Sequence, residues 1–348
     1  MELKKIRHKY FDLYANCIAV KGFKRSIIYD LQKSSWEFIP NNLFDLIELC
    51  GRKNTFSECY EMDNLFSNSM LDQYFKFLIE KNYLLIVDDK SQFAHFPNLD
   101  RTFDFPGILT NAILDFDSDT LNTANYGDYV DLIKEFYSLG CNNYQFRSFG
   151  TQTNSILFNL LKETNNLDIE IDLIYPYTNS TTEDLENFFF EITNLRSIVI
   201  HSVPPEKILH NETKFDITFT ETFLTDNSCC GVIKPQYFSI NLPMFTESLQ
   251  FNNCLNRKIG VDIYGNIKNC PSMEKVYSKV GRTVTDIVQD PEFQKIWKLN
   301  KDSILKCNIC EFRYMCTDCR AFLDNLNDKP LKCFYDPLTA VWEKNKEI

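Results

Sequence analysis

Seven cysteines fall after residue 250, and their spacing is regular. Cys254 is followed after ten residues by Gly265 and after four more by Cys270. A gap of 36 residues leads to Cys307-x2-Cys310-x5-Cys316-x2-Cys319, and Cys333 follows thirteen residues later. Thiolates are soft ligands that select zinc or iron–sulfur clusters, and a CxxC pair lets two sulfurs converge from one tight turn. The N-terminus, "MELKKIRHKYFDLY", has charges but no apolar segment of the secretory kind. The expected compartment is therefore the reducing cytoplasm, where clustered thiols mean metal or redox chemistry more often than disulfides. One structural zinc takes four ligands, and a four-iron cluster is likewise held by four cysteines. Seven thiols plus one from elsewhere would serve two zinc ions or two [4Fe-4S] clusters, and Cys229 and Cys230 are the nearest unassigned thiols. Cys17, Cys50, Cys59 and Cys141 lie on apolar elements and read as small buried hydrophobes.

Three further groups can be weighed for chemistry. Asp115, Asp117 and Asp119 alternate like the start of a calcium loop, but no Gly follows at its sixth position and Tyr126 stands at its twelfth. His201 closes a strand of a βα unit, where barrel active sites gather. Arg147 ends the strand "NYQFR", placed to hold a carboxylate.

The elements that must carry these residues fall into three segments. In the first, 1–98, "YFDLYANCIAV", "KRSIIYD" and "SWEFIP" read as strands rich in β-branched and aromatic residues. A helix near 41–50 places Leu43, Leu46, Ile47 and Cys50 on one face, a second covers about 56–62, and a third, 69–81, aligns Leu71, Tyr74, Phe75 and Leu78. The strand "NYLLIVDD" closes a winged-helix-like domain. Its third helix sets Asp72 and Glu80 against Lys76 and Lys81, so a peptide added along a strand edge suits it better than DNA. Residues 88–106 are polar and read as a linker.

From 106 to 225, strands alternate with helices, which implies βαβ units and a parallel sheet. One of these helices, "TEDLENFFFEI", has Ser180 and Glu183 placed as a capping box. Four or five units fall short of a closed barrel of eight, so a partial (β/α) barrel or open sheet is expected. From 226 to 348 the elements shorten. Gly265 marks a hairpin in "DIYGNIKNC". "PEFQKIWKLNKDSILK" reads as one helix, with Phe293, Ile296 and Trp297 packed inward.

Composition narrows the function. The chain of 348 residues is 44% hydrophobic, so it can bury a large core, and its net charge of −11 with a pI near 5.0 gives no nucleic-acid footprint. No apolar run approaches the roughly 20 residues of a membrane span.

The order Cys254, Gly265, Cys270, Cys307, Cys310, Cys316, Cys319 and Cys333 resembles the SPASM domain. This is the auxiliary-cluster module of radical S-adenosylmethionine enzymes that modify peptides. Its usual pattern has three residues, not two, between the last pair. More closely, "LYANCIAVKGFKRSIIYDLQ", "CLNRKIGVDIYGNIKNCPSM" and "CEFRYMCTDCRAF" are similar to the maturase of grasp-with-spasm systems, which works beside an ATP-grasp peptide ligase. The resemblance implies a leader-peptide recognition domain, a radical-SAM-like partial barrel and a SPASM lobe. It also implies one cluster on Cys307, Cys310, Cys316 and Cys333, and another on Cys254, Cys270 and Cys319. The fourth ligand of the latter is Cys229, Cys230 or none. Working radical-SAM barrels carry CxxxCxxC after the first strand. Here that stretch reads "AILDFDSDTLNTANYG", without a thiol, so reductive cleavage of S-adenosylmethionine is not expected.

Three functions follow from these residues. The first is a component of ribosomal-peptide maturation that binds the precursor and carries auxiliary iron–sulfur clusters. The second is a non-catalytic peptide-binding adaptor whose lobe is folded around zinc. The third is an oxidoreductase acting through an open iron.

Overall fold

The structure, a computed structural model, describes residues 3–62, 66–150, 155–177, 190–205 and 217–343. It is a mixed α/β fold around a large, mostly parallel sheet.

The N-terminal segment opens with α1 (Leu3–Ile6) and β1 (Tyr10–Leu13), which pairs antiparallel with β5 (Leu84–Val87). Between these lies an antiparallel meander of β2 (Cys17–Val20), β3 (Ser26–Asp30) and β4 (Ser35–Ile39). Three helices follow, α2 (Asn41–Cys50), α3 (Phe56–Tyr60) and α4 (Asn68–Glu80), as their apolar spacing requires. Thr55 and Glu58 form a capping box on α3, and Ser67 accepts the Met70 amide to start α4. All five residues of the central strand β3 are buried. Its alternation explains why. Ile28 packs on α2 and α4, with Leu43, Leu46, Leu71 and Phe75, while Ile27 and Tyr29 face Phe312, Met315 and Tyr335 of the C-terminal lobe. One strand thus serves two cores, each taking one side of the pleat.

The large sheet runs in the order β10-β9-β8-β7-β6-β11-β12-β13. Its strands are β6 (Asn111–Phe116), β7 (Asn143–Ser148), β8 (Glu170–Pro176), β9 (Leu195–His201), β10 (Ile217–Phe219), β11 (Lys258–Val261), β12 (Asn266–Lys268) and β13 (Ser278–Lys279). Neighbours from β10 through β11 are parallel, and β12 and β13 continue antiparallel. Ala112 to Phe116 of β6 are all buried, as expected of a parallel strand covered on both faces, and all but Asp115 are apolar. Helices α5 (Tyr126–Ser138) and α6 (Ser155–Glu163) cross between strands, and α5 buries Tyr129, Leu132, Ile133 and Phe136 against the sheet. Strand β11 comes from the third segment of the chain yet lies beside β6, with Lys258 opposite Asn111 and Val261 opposite Leu114.

Gly265, at φ +72°, turns the β11–β12 hairpin as the sequence indicates. The helix expected over 291–306 is not continuous. A short helix, Pro291–Gln294, gives way to 3-10 turns at Lys295–Lys298 and Lys301–Ser303. The carbonyls of Trp297 and Leu299 accept hydrogen bonds from Asn252 (2.7 and 3.3 Å), and the Asn300 amide donates to the Leu249 carbonyl (2.7 Å). Tertiary bonds replace the helical ladder there. Phe293, Ile296 and Trp297 are nevertheless buried, as expected. The segment read as a linker contains a 3-10 turn, Lys90–His95, whose Phe93 is buried against Leu85 and Val87. The expected helix with Ser180 and Glu183 lies outside the described residues. Among the described residues, no helix is long and apolar enough to cross a membrane.

Candidate metal centres in the C-terminal lobe

Cys307, Cys310, Cys316 and Cys333 line one small cavity of about 20 Å3. Local turns bring them there. The Cys310 amide donates to the Cys307 carbonyl (3.0 Å), and the Cys316 amide to that of Phe312 (3.2 Å). Cys333 is delivered by a separate turn, its amide bonded to Pro330 (3.0 Å), and pairs alongside Ile233. Lys329 fixes this approach by donating to the carbonyls of Cys333 (2.7 Å) and Tyr335 (2.8 Å). Lys301, Lys306 and Arg313 complete the polar wall.

A second group forms where the lobe meets the parallel sheet. The Cys254 amide is held by Asn252 Oδ1 (3.0 Å), just before β11, and Cys270 follows β12. Cys319 and Cys230 come from segments far apart in the sequence. A Cβ built on Gly231 would lie 2.8 Å from Cys319 Sγ, so the backbone after Cys230 passes directly over that sulfur and only glycine fits. Cys319 lies within electrostatic reach of Cys254, Cys270 and Cys230, and Cys270 within reach of Cys254 and Cys230. Lys258 Nζ stands 3.6 Å from Cys254 Sγ. Cys229 is exposed and faces Arg147, Asp115 and Asp226 instead. Of the two thiols that the spacing leaves open, Cys230 joins the group.

All thirteen cysteines are free thiols. Burial and neighbouring thiols push Cys307 and Cys319 up to about 12, and Cys270 up to about 11. Such thiols keep their protons unless a bound cation displaces them, because the metal inverts the local preference. Among the described residues, no three His, Cys, Asp or Glu side chains are arranged around one ion. A tetrahedral zinc needs its sulfurs roughly 2.3 Å from a common point.

The ends of β6 and β7 hold a different arrangement. Arg147 donates from Nε to Asp115 Oδ1 (2.6 Å) and from Nη2 to Oδ2 (2.9 Å), a two-pronged ion pair that is almost wholly buried. Asp115 pushes the guanidinium up and keeps it charged. His201 Nε2 bonds the Ser148 carbonyl and Nδ1 the Ser202 hydroxyl, both at 2.9 Å, and burial pushes its pKa down. Its ring is a structural tie between β7 and β9. The three alternating aspartates do not converge. Asp117 Oδ1 accepts the amides of Asp119 (2.9 Å) and Thr120 (2.8 Å), closing a turn, while Asp115 belongs to Arg147. A cavity of about 300 Å3 opens beside this strand end, lined by Asp117, Phe149, Asp226, Asn227 and Ile263 among others. Arg147 also lies within electrostatic reach of Cys230 and Cys270, so the strand end and the second thiol group are neighbours.

The sequence reading did not single out Lys258, Lys301 or Glu311, whose places only the fold reveals. Cys17, Cys50, Cys59 and Cys141 are buried in apolar cores, as expected of hydrophobes.

No family model matches the chain, and no curated protein matches it. Among solved structures, BtrN in complex with AdoMet and 2-DOIA aligns over 61% of this chain and 94% of its own, at 10% identity and a TM-score of 0.38. Streptococcus suis SuiB bound to S-adenosylmethionine aligns over 92% of this chain and 98% of its own, at 10% identity and a TM-score of 0.32. The heterocyclase TruD aligns over 47% of this chain and 25% of its own, at 11% identity and a TM-score of 0.21. With overlaps this loose, function has to be read from the chain's own residues.

Proposed function

We propose that this protein is a maturation component for a ribosomally synthesised peptide, and that its C-terminal lobe carries two [4Fe-4S] clusters. Cys307, Cys310, Cys316 and Cys333 would hold one, and Cys254, Cys270, Cys319 and Cys230 the other. The observation that carries this reading is the sorting of eight thiols, scattered over a hundred residues, into two quartets, one of them around a single cavity. Such clusters supply one-electron chemistry. The chain's own residues fix the thiols, bury them and surround them with cations.

The N-terminal winged-helix-like domain would capture the precursor's leader. Strands β2 and β4 are the outer strands of the meander, and β4 leaves Ser35 and Phe38 exposed, which suits the addition of an extended peptide. An ATP-grasp ligase would be the partner in the reaction sequence, in a reducing cytoplasm. The thiol-free strand end, filled by Asp115 and Arg147, favours a barrel that positions the peptide over one that cleaves S-adenosylmethionine.

The test is anaerobic purification followed by iron, sulfide and zinc analysis, with binding of a fluorescein-labelled candidate precursor peptide. Two clusters' worth of iron and sulfide, with saturable peptide binding, is the expected result. A colourless, zinc-loaded chain that binds the peptide would favour the adaptor reading. A metal-free, folded chain would end both.

A further inference from the structure

Each thiol quartet has a lysine ammonium group beside it, one buried and one partly exposed. Lys301 is 3% exposed, lines the cavity of Cys307, Cys310, Cys316 and Cys333, and donates from Nζ to the Cys316 carbonyl. The acids around it are already engaged. Asp302 is paired with Arg313 (3.0 Å), Asp318 with Arg320 (2.5 Å) and Glu311 with Arg25 (2.8 Å). Lys258 occupies the same position in the other quartet, with Nζ 3.6 Å from Cys254 Sγ. Of the acids near it, only Asp262 is taken by another cation. Glu247 accepts from Asn256 (2.9 Å), and Asp262 is paired with Lys268 (2.8 Å).

A buried ammonium whose neighbouring carboxylates are paired with arginines, as at Lys301, is expensive. A ring of neutral thiols does not offset that cost. Four thiolates around an iron–sulfur core do, because the assembly is a net anion that becomes more negative on reduction. We propose that Lys258 and Lys301 are the counter-cations of the two cluster sites, one for each, and that they raise the reduction potential of the site they face. The inference rests on the cluster reading above and goes beyond it by assigning residues that are not ligands. The physical basis is that net charge, hydrogen bonding to sulfur and burial set cluster potentials. A fixed positive charge favours the more negative, reduced state.

The test compares the anaerobically reconstituted full chain with K301M, K258M, K301R and K258R. Iron and sulfide per chain are measured first, then each reduction step by spectroelectrochemical titration followed by electron paramagnetic resonance. K301M should shift one step to more negative potential by at least a tenfold change in the equilibrium, about 59 mV for one electron. K258M should shift the other step, and the Arg variants should stay near the parent. Loss of iron from a Met variant with retention in its Arg counterpart also supports the charge pairing. Unchanged potentials at full iron content overturn this proposal and leave the cluster reading standing. Loss of iron from Met and Arg variants alike marks a packing role and overturns it. A parent chain without iron overturns the cluster reading and this proposal together.

Discussion

Arg25 Nε lies 2.8 Å from Glu311 Oε1, joining the N-terminal meander to the residue between Cys310 and Phe312. Glu311 is fully buried, and its carboxylate also accepts the Tyr335 hydroxyl. Its backbone carbonyl accepts the Tyr29 hydroxyl from β3. The Phe23 amide donates to the Ile309 carbonyl (2.8 Å), and Arg313 donates to the Lys21 carbonyl (2.7 Å). The turn that presents Cys307 and Cys310 is therefore shaped from outside by the peptide-binding candidate.

Removing Arg25 should loosen that turn. R25A leaves a buried carboxylate with the Tyr335 hydroxyl as its one remaining side-chain donor, and the loss expected is about 1–3 kcal/mol, since the arginine is itself partly exposed. Urea denaturation checks the magnitude. A double-mutant cycle with E311Q should return a coupling energy of about 1 kcal/mol or more, whereas additive effects would show that the contact is idle.

The quartets make a sharp prediction about adjacent residues. C230A should remove about half of the iron, as should C254A or C316A, because each cluster needs its four thiolates. C229A should keep all of it, since that thiol is exposed and faces the Asp115–Arg147 pair. Iron and sulfide content per folded chain is the readout. Equal loss from C229A and C230A would refute the assignment.

The Asp115–Arg147 pair should behave as a unit. D115N or R147M alone strands a buried charge and should cost about 3–5 kcal/mol. The double variant D115L/R147M should cost less than the sum of the two, as judged from urea midpoints. Additivity would mean that the two groups do not depend on each other.

His201 predicts a pH effect of known sign. Burial lowers its folded-state pKa below the ordinary 6.5, so between those two values the unfolded chain binds the extra proton. Its share of stability is complete above 6.5 and is lost as pH falls toward the folded value. The parent should therefore lose more stability than H201Q between pH 7.5 and pH 5.5, measured by denaturant titration at each pH. Parallel losses in both would remove His201 as the cause.

How much of this was legible beforehand depended on whether the signal was local. Leu43, Leu46, Ile47 and Cys50 announce α2 through their spacing, and Gly265 announces its hairpin, because each is decided within a few residues. The Cys307-x2-Cys310 spacing announced a tight turn for the same reason. The choice between Cys229 and Cys230 was not readable, since it depends on Gly231 passing over Cys319, 88 positions further along the chain. The break after Gln294 was hidden too, because Asn252 takes the carbonyls that the helix would need. Lys258 and Lys301 look like any surface lysine until the fold sets them beside the thiols.

The seating of β11 beside β6 has one more consequence. The strand that follows Cys254 is also the neighbour that covers the edge of Asn111–Phe116. A chain stopped before Lys258 would leave that apolar strand with a row of unanswered amides, open to sticking to other chains. The lobe is thus no bead on a string. The two segments complete one sheet, and each depends on the other for its hydrogen bonds.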